Sequence, residues 1–224
     1  MTTHPPIVLS LDLTELNDLP GKVKQILDIH GHIDILINNG GVSVRSDVVS
    51  TQIDVDIKIM LVNYFGTAAL TKAVLPSMIA RKEGRIVCIS SVQGKFAIPQ
   101  RSAYSASKHA LQAFCDSLRA EMDEHNVKVT LVSPGYINTP LSMNALTGNG
   151  STYGKVDPAT AAGVDPLKLS QQILESVLSD KQDVVSASFT AYVAIWIRFL
   201  CPPFYFWLMA QRARKFSNAA KKSE

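Results

Sequence analysis

The sequence predicts an α/β chain built around a parallel sheet. Three observations carry that expectation: short apolar runs alternate with longer helical segments, one of those segments carries an apolar stripe, and another opens on a strong helix-start signal. In chain order, Ile7–Leu11 is the first expected strand and Leu19–His30 the first helix. Asp34–Asn38 is the second strand, and Asp54–Arg81 the helix that returns from it. Arg85–Ile89 is a buried-type strand, β-branched and apolar, stopped by Ser90 and Ser91. Ser102–His125 is a helix because Leu111, Phe114, Leu118 and Met122 recur at spacings of three and four, with no proline between them. Lys128–Val132 is the next strand. Pro166–Ser179 is a helix opened by Asp165 as a capping carboxylate with proline at its first position. Asp183–Ala187 is the last strand.

At 224 residues the chain is long enough for one substantial core, expected over residues 1–188, followed by an apolar segment with a basic tail at 189–224. A net charge of +3 gives no support to a nucleic-acid partner. Cys88, Cys115 and Cys201 are dispersed, with neither metal nor disulfide spacing, and fit reduced thiols facing a cytosolic compartment. Met1 to Pro6 has neither a basic region nor an apolar run, so no signal peptide is read there.

The chemistry is concentrated around Tyr104 and Lys108. Four residues apart on one helix, they share a face and can point into one site. A free phenol titrates near pH 10, so a catalyst working near pH 7 needs that lowered by roughly 3 units, or about 4 kcal/mol, and an ammonium shifts it in that direction. Ser91 ends the preceding strand thirteen positions upstream, and the loop from Val92 to Arg101 is long enough to bring its hydroxyl to the start of the Tyr104 helix. Hydroxyl, phenol and ammonium together suit carbonyl–alcohol redox chemistry.

The ordered series Leu11-Asp12-Leu13, Asn38-Asn39-Gly40-Gly41, Asn63, Ile89-Ser90-Ser91, Tyr104-x-x-x-Lys108 and Pro134-Gly135 with Thr139 resembles the short-chain dehydrogenase/reductase family from roughly Ile7 to Ser188. Asn63-Tyr-Phe-Gly66, Ile98 to His109 and Ser133 to Ile137 look most like its membrane-associated member 7B branch. The resemblance implies a Rossmann-like, doubly wound parallel sheet and NADP or NAD as cofactor. By motif, Tyr104 would be the general acid or base, Lys108 would depress its pKa and hold the nicotinamide ribose, and Ser91 would hydrogen-bond the substrate oxygen. Asn63 would hold a water linking Lys108 to solvent, or else mark a kink or be an exposed polar residue. Asn39 and Gly40 would flank the cofactor. Pro134 and Gly135 would place the backbone of Ile137 and the hydroxyl of Thr139 near the nicotinamide. Asp12 would meet the adenine, or simply turn the chain at a strand end. Ser90 is read as structural.

The family normally opens with a strand, a glycine-rich turn and a helix that hold the cofactor pyrophosphate. Only eleven residues precede Asp12, so the fold is expected to be N-terminally truncated, without the first two strands and first helix. Asp34–Asn38 would then be an exposed apolar edge. Phe189 to Ala210 is 22 residues with Arg198 its one charge, a length that could span a bilayer, but Pro202-Pro203 breaks it. Two short segments at a membrane interface, or a substrate lid, are expected, with Arg212, Arg214, Lys215, Lys221 and Lys222 attracted to anionic headgroups. The resemblance adds an endoplasmic reticulum or peroxisome location and a homodimer or homotetramer. Ala103, Ala106, Ala110 and Ala113 allow close packing on the Tyr104 helix, between subunits or within one. The function expected is interconversion of a small hydrophobic or lipid-like ketone and its secondary alcohol with a nicotinamide cofactor. The alternative is a catalytically silent truncated isoform acting as a membrane-bound interaction or dimerisation partner.

Overall fold

The computed structural model describes residues 6–221, with side chains to residue 216. Met1–Pro5, within the segment where no signal peptide is read, lie outside them, as do Lys222 and the side chain of Lys221 in the basic tail. Four parallel strands run β1 (Ile35–Asn38), β2 (Gly84–Ile89), β3 (Val127–Pro134) and β4 (Asp183–Ser186), in that spatial order. Each connection crosses over, so every strand ends at the same edge of the sheet, where α/β folds place their ligands. Successive β2 residues face opposite layers. Ile86 and Cys88 pack with Val127, Val129 and Leu131 of β3 against helices α1 (Leu19–His30), α3 (Thr67–Arg81) and α4 (Ser102–Glu121). Val87 and Ile89 pack with Val132 of β3 against Ile173 and Val177 of α6 (Pro166–Leu178). The fold is therefore Rossmann-like and doubly wound.

The expected helix over Asp54–Arg81 is continuous but not uniform. It begins as α2 (Ile53–Met60), widens through a π-turn at Leu61–Gly66, and resumes as α3. The π-turn inserts an extra residue per turn and swings Asn63 inward, a placement that such turns often serve at functional sites. At α6 the Asp165 side chain accepts from the Leu167 N–H at 3.2 Å, which satisfies one of the helix's free donors. A short α5 (Pro158–Ala161) precedes it in the loop from β3.

Ile7–Leu11 is not a strand. Its backbone is irregular and Val8 is 94% exposed, because apolar β-branched residues form a strand only where another strand supplies ladder hydrogen bonds. β1 is accordingly an edge strand, with Ile35 and Ile37 exposed by 41% and 55%. The segment is anchored further on by Leu13, whose side chain and carbonyl lie against Gly40 and Gly66.

The apolar C-terminus forms two helices, α7 (Phe189–Leu200) and α8 (Pro202–Lys221), broken at Cys201. Their inner faces cover the loop before α4: Tyr205 packs with Val92, Phe96 and Ile98, and its hydroxyl donates to the Ala97 carbonyl. Their outer faces remain apolar and open.

Gly66 and Gly21 make a matched pair for testing this packing. A Cβ on Gly66 would lie 2.4 Å from the Leu13 carbonyl oxygen, whereas a Cβ on Gly21, inside α1, would meet nothing within 4 Å. Gly66→Ala is expected to lower the unfolding free energy by about 1–3 kcal/mol, and Gly21→Ala to raise it by about 0.5–1 kcal/mol. Urea unfolding followed by circular dichroism checks both signs.

Candidate active site

The end of β2 and the first turns of α4 build the site. Ser91 leaves the strand in extended conformation and caps the turn Val92–Gly94, its Oγ accepting from the Gln93 N–H at 3.2 Å. Gly94 then lies against α4, where a Cβ would stand 2.8 Å from the Lys108 carbonyl oxygen. Only glycine permits that approach, which keeps the Ser91 turn close to the Tyr104 helix. Ser90 stays structural in its contacts, donating weakly to the same carbonyl at 3.5 Å.

Ser91, Tyr104 and Lys108 are all buried. Burial pushes the Tyr104 phenol up from its ordinary value; a hydrogen bond with Ser91 pulls it down, followed by the positive charges of Arg101 and Arg45. Lys108 acts differently from the sequence expectation at this point. Its Nζ donates to the Ile89 carbonyl at 2.9 Å and stands 5.7 Å from the centre of the Tyr104 ring, over its face rather than at its hydroxyl. Burial lowers the Lys108 pKa to about 8. An ammonium has three donors, and Ile89 takes one.

Asn63 is wholly buried and fully engaged. Its Oδ1 accepts from the Val42 N–H at 2.8 Å, and its Nδ2 donates to the Val42 carbonyl and to Ser107 Oγ, each at 2.9 Å. It thereby ties the loop after β1 to α4, beside Gly41, where a Cβ would stand 3.7 Å from Lys108 Nζ. The glycine keeps open the space next to the ammonium.

The remaining expected residues lie near the strand ends in different ways. Asn39 and Gly40 follow β1 and are exposed. Pro134 ends β3, and Gly135 donates its N–H to the Ser186 carbonyl at 2.8 Å, so the turn is held by β4. Ile137 bridges to Val164, and Thr139 donates its N–H to Ile137 at 2.8 Å, which shapes the loop beyond the turn. Asp12 is exposed, and its Oδ1 accepts from the Thr14 N–H and hydroxyl at 2.8 Å each; these bonds lower its pKa and make it a turn-forming residue in this structure.

Sequence reasoning missed Arg45, Arg101 and Asp157, which meet beside Tyr104. Arg101 was within reach, three residues before Tyr104 at the start of the same helix. Arg45 and Asp157 are 112 positions apart and share no local pattern. No group of three or more His, Cys, Asp or Glu side chains able to hold a metal occurs among the described residues.

A family model described as short chain dehydrogenase matches residues 3–150. A "Dehydrogenase/reductase SDR family protein 7-like" from Anopheles gambiae is 65% identical over 216 residues, which is 96% of this chain and 68% of the relative. "Dehydrogenase/reductase SDR family member 7B" from Mus musculus is 52% identical over 213 residues, 95% of this chain and 66% of the relative. The chain thus spans about two thirds of the length of these relatives. A crystal structure of a short chain dehydrogenase from Burkholderia cenocepacia in complex with NADP superposes with TM-score 0.71 at 23% identity, over 87% of this chain and 74% of that one.

The buried ammonium has a measurable signature. The Lys108 pKa is depressed from its ordinary 10.5 to about 8, so the folded state releases this proton more readily than the unfolded state does. Stability linked to Lys108 is therefore full above about pH 10.5, falls as the pH drops, and reaches its floor below about pH 8. Relative to Lys108→Met, the wild type is expected to gain about 3 kcal/mol of unfolding free energy between those limits. Denaturant unfolding of both proteins at pH 7, 8, 9 and 10 reads the difference; a constant offset would contradict a depressed pKa.

Proposed function

The chain belongs to the short-chain dehydrogenase family, and on that premise we propose that it is a nicotinamide-dependent oxidoreductase interconverting a ketone and a secondary alcohol on a hydrophobic, lipid-like molecule. The observation that carries this reading is the convergence of buried Ser91, Tyr104 and Lys108 where β2 meets α4. When bound, the nicotinamide, NADP or NAD, supplies or accepts the hydride. Tyr104 gives its hydroxyl proton to the carbonyl oxygen in reduction and takes it from the alcohol in oxidation. Ser91, whose hydroxyl is near enough to lower the Tyr104 pKa, orients the same oxygen. Lys108 fits the ribose hydroxyls, because its buried ammonium has donors beyond the one given to Ile89 and Gly41 leaves room beside it. Asn63 holds the loop after β1 against α4 and so fixes the wall of that space. Asn39, Gly40, Pro134, Gly135, Ile137 and Thr139 belong to the loops at the strand ends and are assigned to the cofactor side, with Asp12 at the adenine end.

The hydrophobic substrate reading is supported by the C-terminal helices. Phe199 and Trp196 on α7 are 77% and 60% exposed, and Phe204, Phe206 and Trp207 on α8 extend the apolar face. With Arg212, Arg214 and Lys215 beside it, this face suits the interface of an anionic membrane on the cytosol-facing side of the endoplasmic reticulum or peroxisome. Residues 189–224 then act as both lid and membrane contact. A homo-oligomer is assigned to the α4 face carrying exposed Ala106 and Ala113. The second reading, a catalytically silent membrane-bound partner, draws support from the open edge of β1.

Two experiments test this. Purified protein is expected to oxidise NADPH or NADH in the presence of a steroid ketone or a long-chain alkan-2-one, and Tyr104→Phe to lower kcat by about 10²–10⁴-fold. Equal rates in wild type and variant would sink the enzyme reading, as would no turnover at all. In vesicle sedimentation, the protein is expected to pellet with phosphatidylserine-containing liposomes, and Trp196→Glu/Phe199→Glu to reduce the bound fraction at least fivefold; unchanged binding would rule out α7 as the contact.

A further inference from the structure

Helices α7 and α8 carry mostly exposed side chains, and among their described residues Tyr205 alone is buried, with 3% of its surface exposed. Its ring meets Phe96 edge-on, the centroids 6.4 Å apart and the planes at 74°, and packs with Val92 and Ile98. The Arg198 guanidinium from α7 lies 5.8 Å from the centre of the same ring. The hydroxyl donates to the Ala97 carbonyl. A buried phenol needs such an acceptor, because an unpaired hydroxyl inside an apolar cluster carries a desolvation cost.

The segment that Tyr205 grips lies between the two halves of the site, with Ser91 immediately before Val92 and Tyr104 beyond Ile98 on α4. Its first turn holds itself. The Gly94 N–H donates to the Ser91 carbonyl at 2.8 Å, and the Lys95 and Phe96 N–H groups donate to the Val92 carbonyl at 2.9 and 3.1 Å. Backbone support then stops. Among the described residues, no backbone–backbone hydrogen bond reaches Ala97, Ile98 or Pro99, and pairing resumes at the Gln100 carbonyl, which accepts from the Ser46 N–H. The Tyr205 hydroxyl supplies, over that stretch, the bond that neighbouring backbone does not. Lys95 adds a tether, its Nζ donating to Asp183 Oδ2 at 2.6 Å, but the carboxylate is 45% exposed and such a pair holds weakly in water. A hydroxyl that must meet a reacting oxygen is sensitive to displacements of about 1 Å, so the grip on this loop bears on the chemistry.

We infer that Tyr205 is a positioning residue of the active site: by holding Ala97 and packing on Val92, it fixes the turn that carries Ser91 against the helix that carries Tyr104. The C-terminal helix pair is then part of the catalytic unit. This rests on the oxidoreductase reading for what Ser91 does, whereas the grip itself is measurable without substrate.

Hydrogen exchange and steady-state kinetics of the full chain test it together. Tyr205→Phe keeps the ring and loses the hydroxyl; Thr130→Val is the reference, because it removes a hydroxyl-to-carbonyl bond of the same kind, Thr130 Oγ1 to Lys181 at 2.8 Å, in the body of the sheet. Tyr205→Phe is expected to speed exchange in peptides covering residues 90–98 at least tenfold, and Thr130→Val to leave them within twofold of wild type. In reduction of a long-chain alkan-2-one, with rates counted per folded chain, Tyr205→Phe is expected to lower kcat and kcat/KM each at least fivefold while KM stays within twofold. That split marks a contact made in the transition state rather than in substrate binding. Thr130→Val is expected to keep kcat within twofold. Phe96→Leu, which keeps the hydroxyl bond but removes the ring against which Tyr205 packs, is expected to act in the same direction and decides the matter if Tyr205→Phe does not fold. Unchanged exchange over residues 90–98, unchanged kcat, a loss carried by KM, or an equal loss in Thr130→Val would overturn the inference. Faster exchange with wild-type kcat overturns this inference alone. If the wild type turns over no ketone, the oxidoreductase reading fails, and exchange by itself decides whether Tyr205 holds the Ser91 turn.

Discussion

The hydrogen bond from Lys108 Nζ to the Ile89 carbonyl joins the helix that carries the tyrosine to the strand that leads to Ser91. A buried ammonium needs acceptors, and the last residue of β2 has a carbonyl free for it because the pairing with β1 ends one residue earlier, at Cys88. That one bond draws α4 toward the strand end. Gly94 lets the intervening loop lie flat against the helix, and Ser91 is kept beside Tyr104. Burial lowers the pKa of that ammonium to about 8, and its two further donors would suit a diol beside it.

Asn63 does for the other wall what Lys108 does for the strand end. Its amide pairs with both backbone groups of Val42 as a neighbouring strand would, and it reaches across to Ser107 one residue before Lys108. A regular α-helix would carry residue 63 at a different angle, so the π-turn and the asparagine are one device. Each neutral bond contributes about 0.5–1.5 kcal/mol, and leaving the half-buried Val42 groups unpaired would add a desolvation cost. The site thus depends on polar groups being satisfied inside a packed interior.

Much of this was legible in the sequence because it is local. The stripe Leu111, Phe114, Leu118 and Met122 marks α4, the four-residue spacing puts Tyr104 and Lys108 on one face, and Asp165-Pro166 marks the start of α6. Ile7–Leu11 misled because a strand is a property of a pair: the run has the right residues but no described strand runs beside it. The role of Lys108 was half legible. Spacing gave its face, but its direction toward Ile89 depends on where a strand 19 residues earlier ends. The Arg45–Asp157–Arg101 cluster was not legible at all as a cluster, because it is assembled by three loops whose proximity follows from the sheet order. The C-terminal break at Pro202 was visible; the docking of Tyr205 on Ala97, 108 positions away, was not.

On the proposed reading, the space beside Lys108 and Gly41 accepts the nicotinamide ribose. Fluorescence titration of NADPH and of NADH with the full chain tests it most directly. Saturable binding of at least one cofactor is expected, with a dissociation constant of about 10⁻⁶–10⁻⁴ M, weakened at least tenfold in Lys108→Met. No saturable change with either cofactor, or equal affinity in a folded Lys108→Met variant, would contradict it.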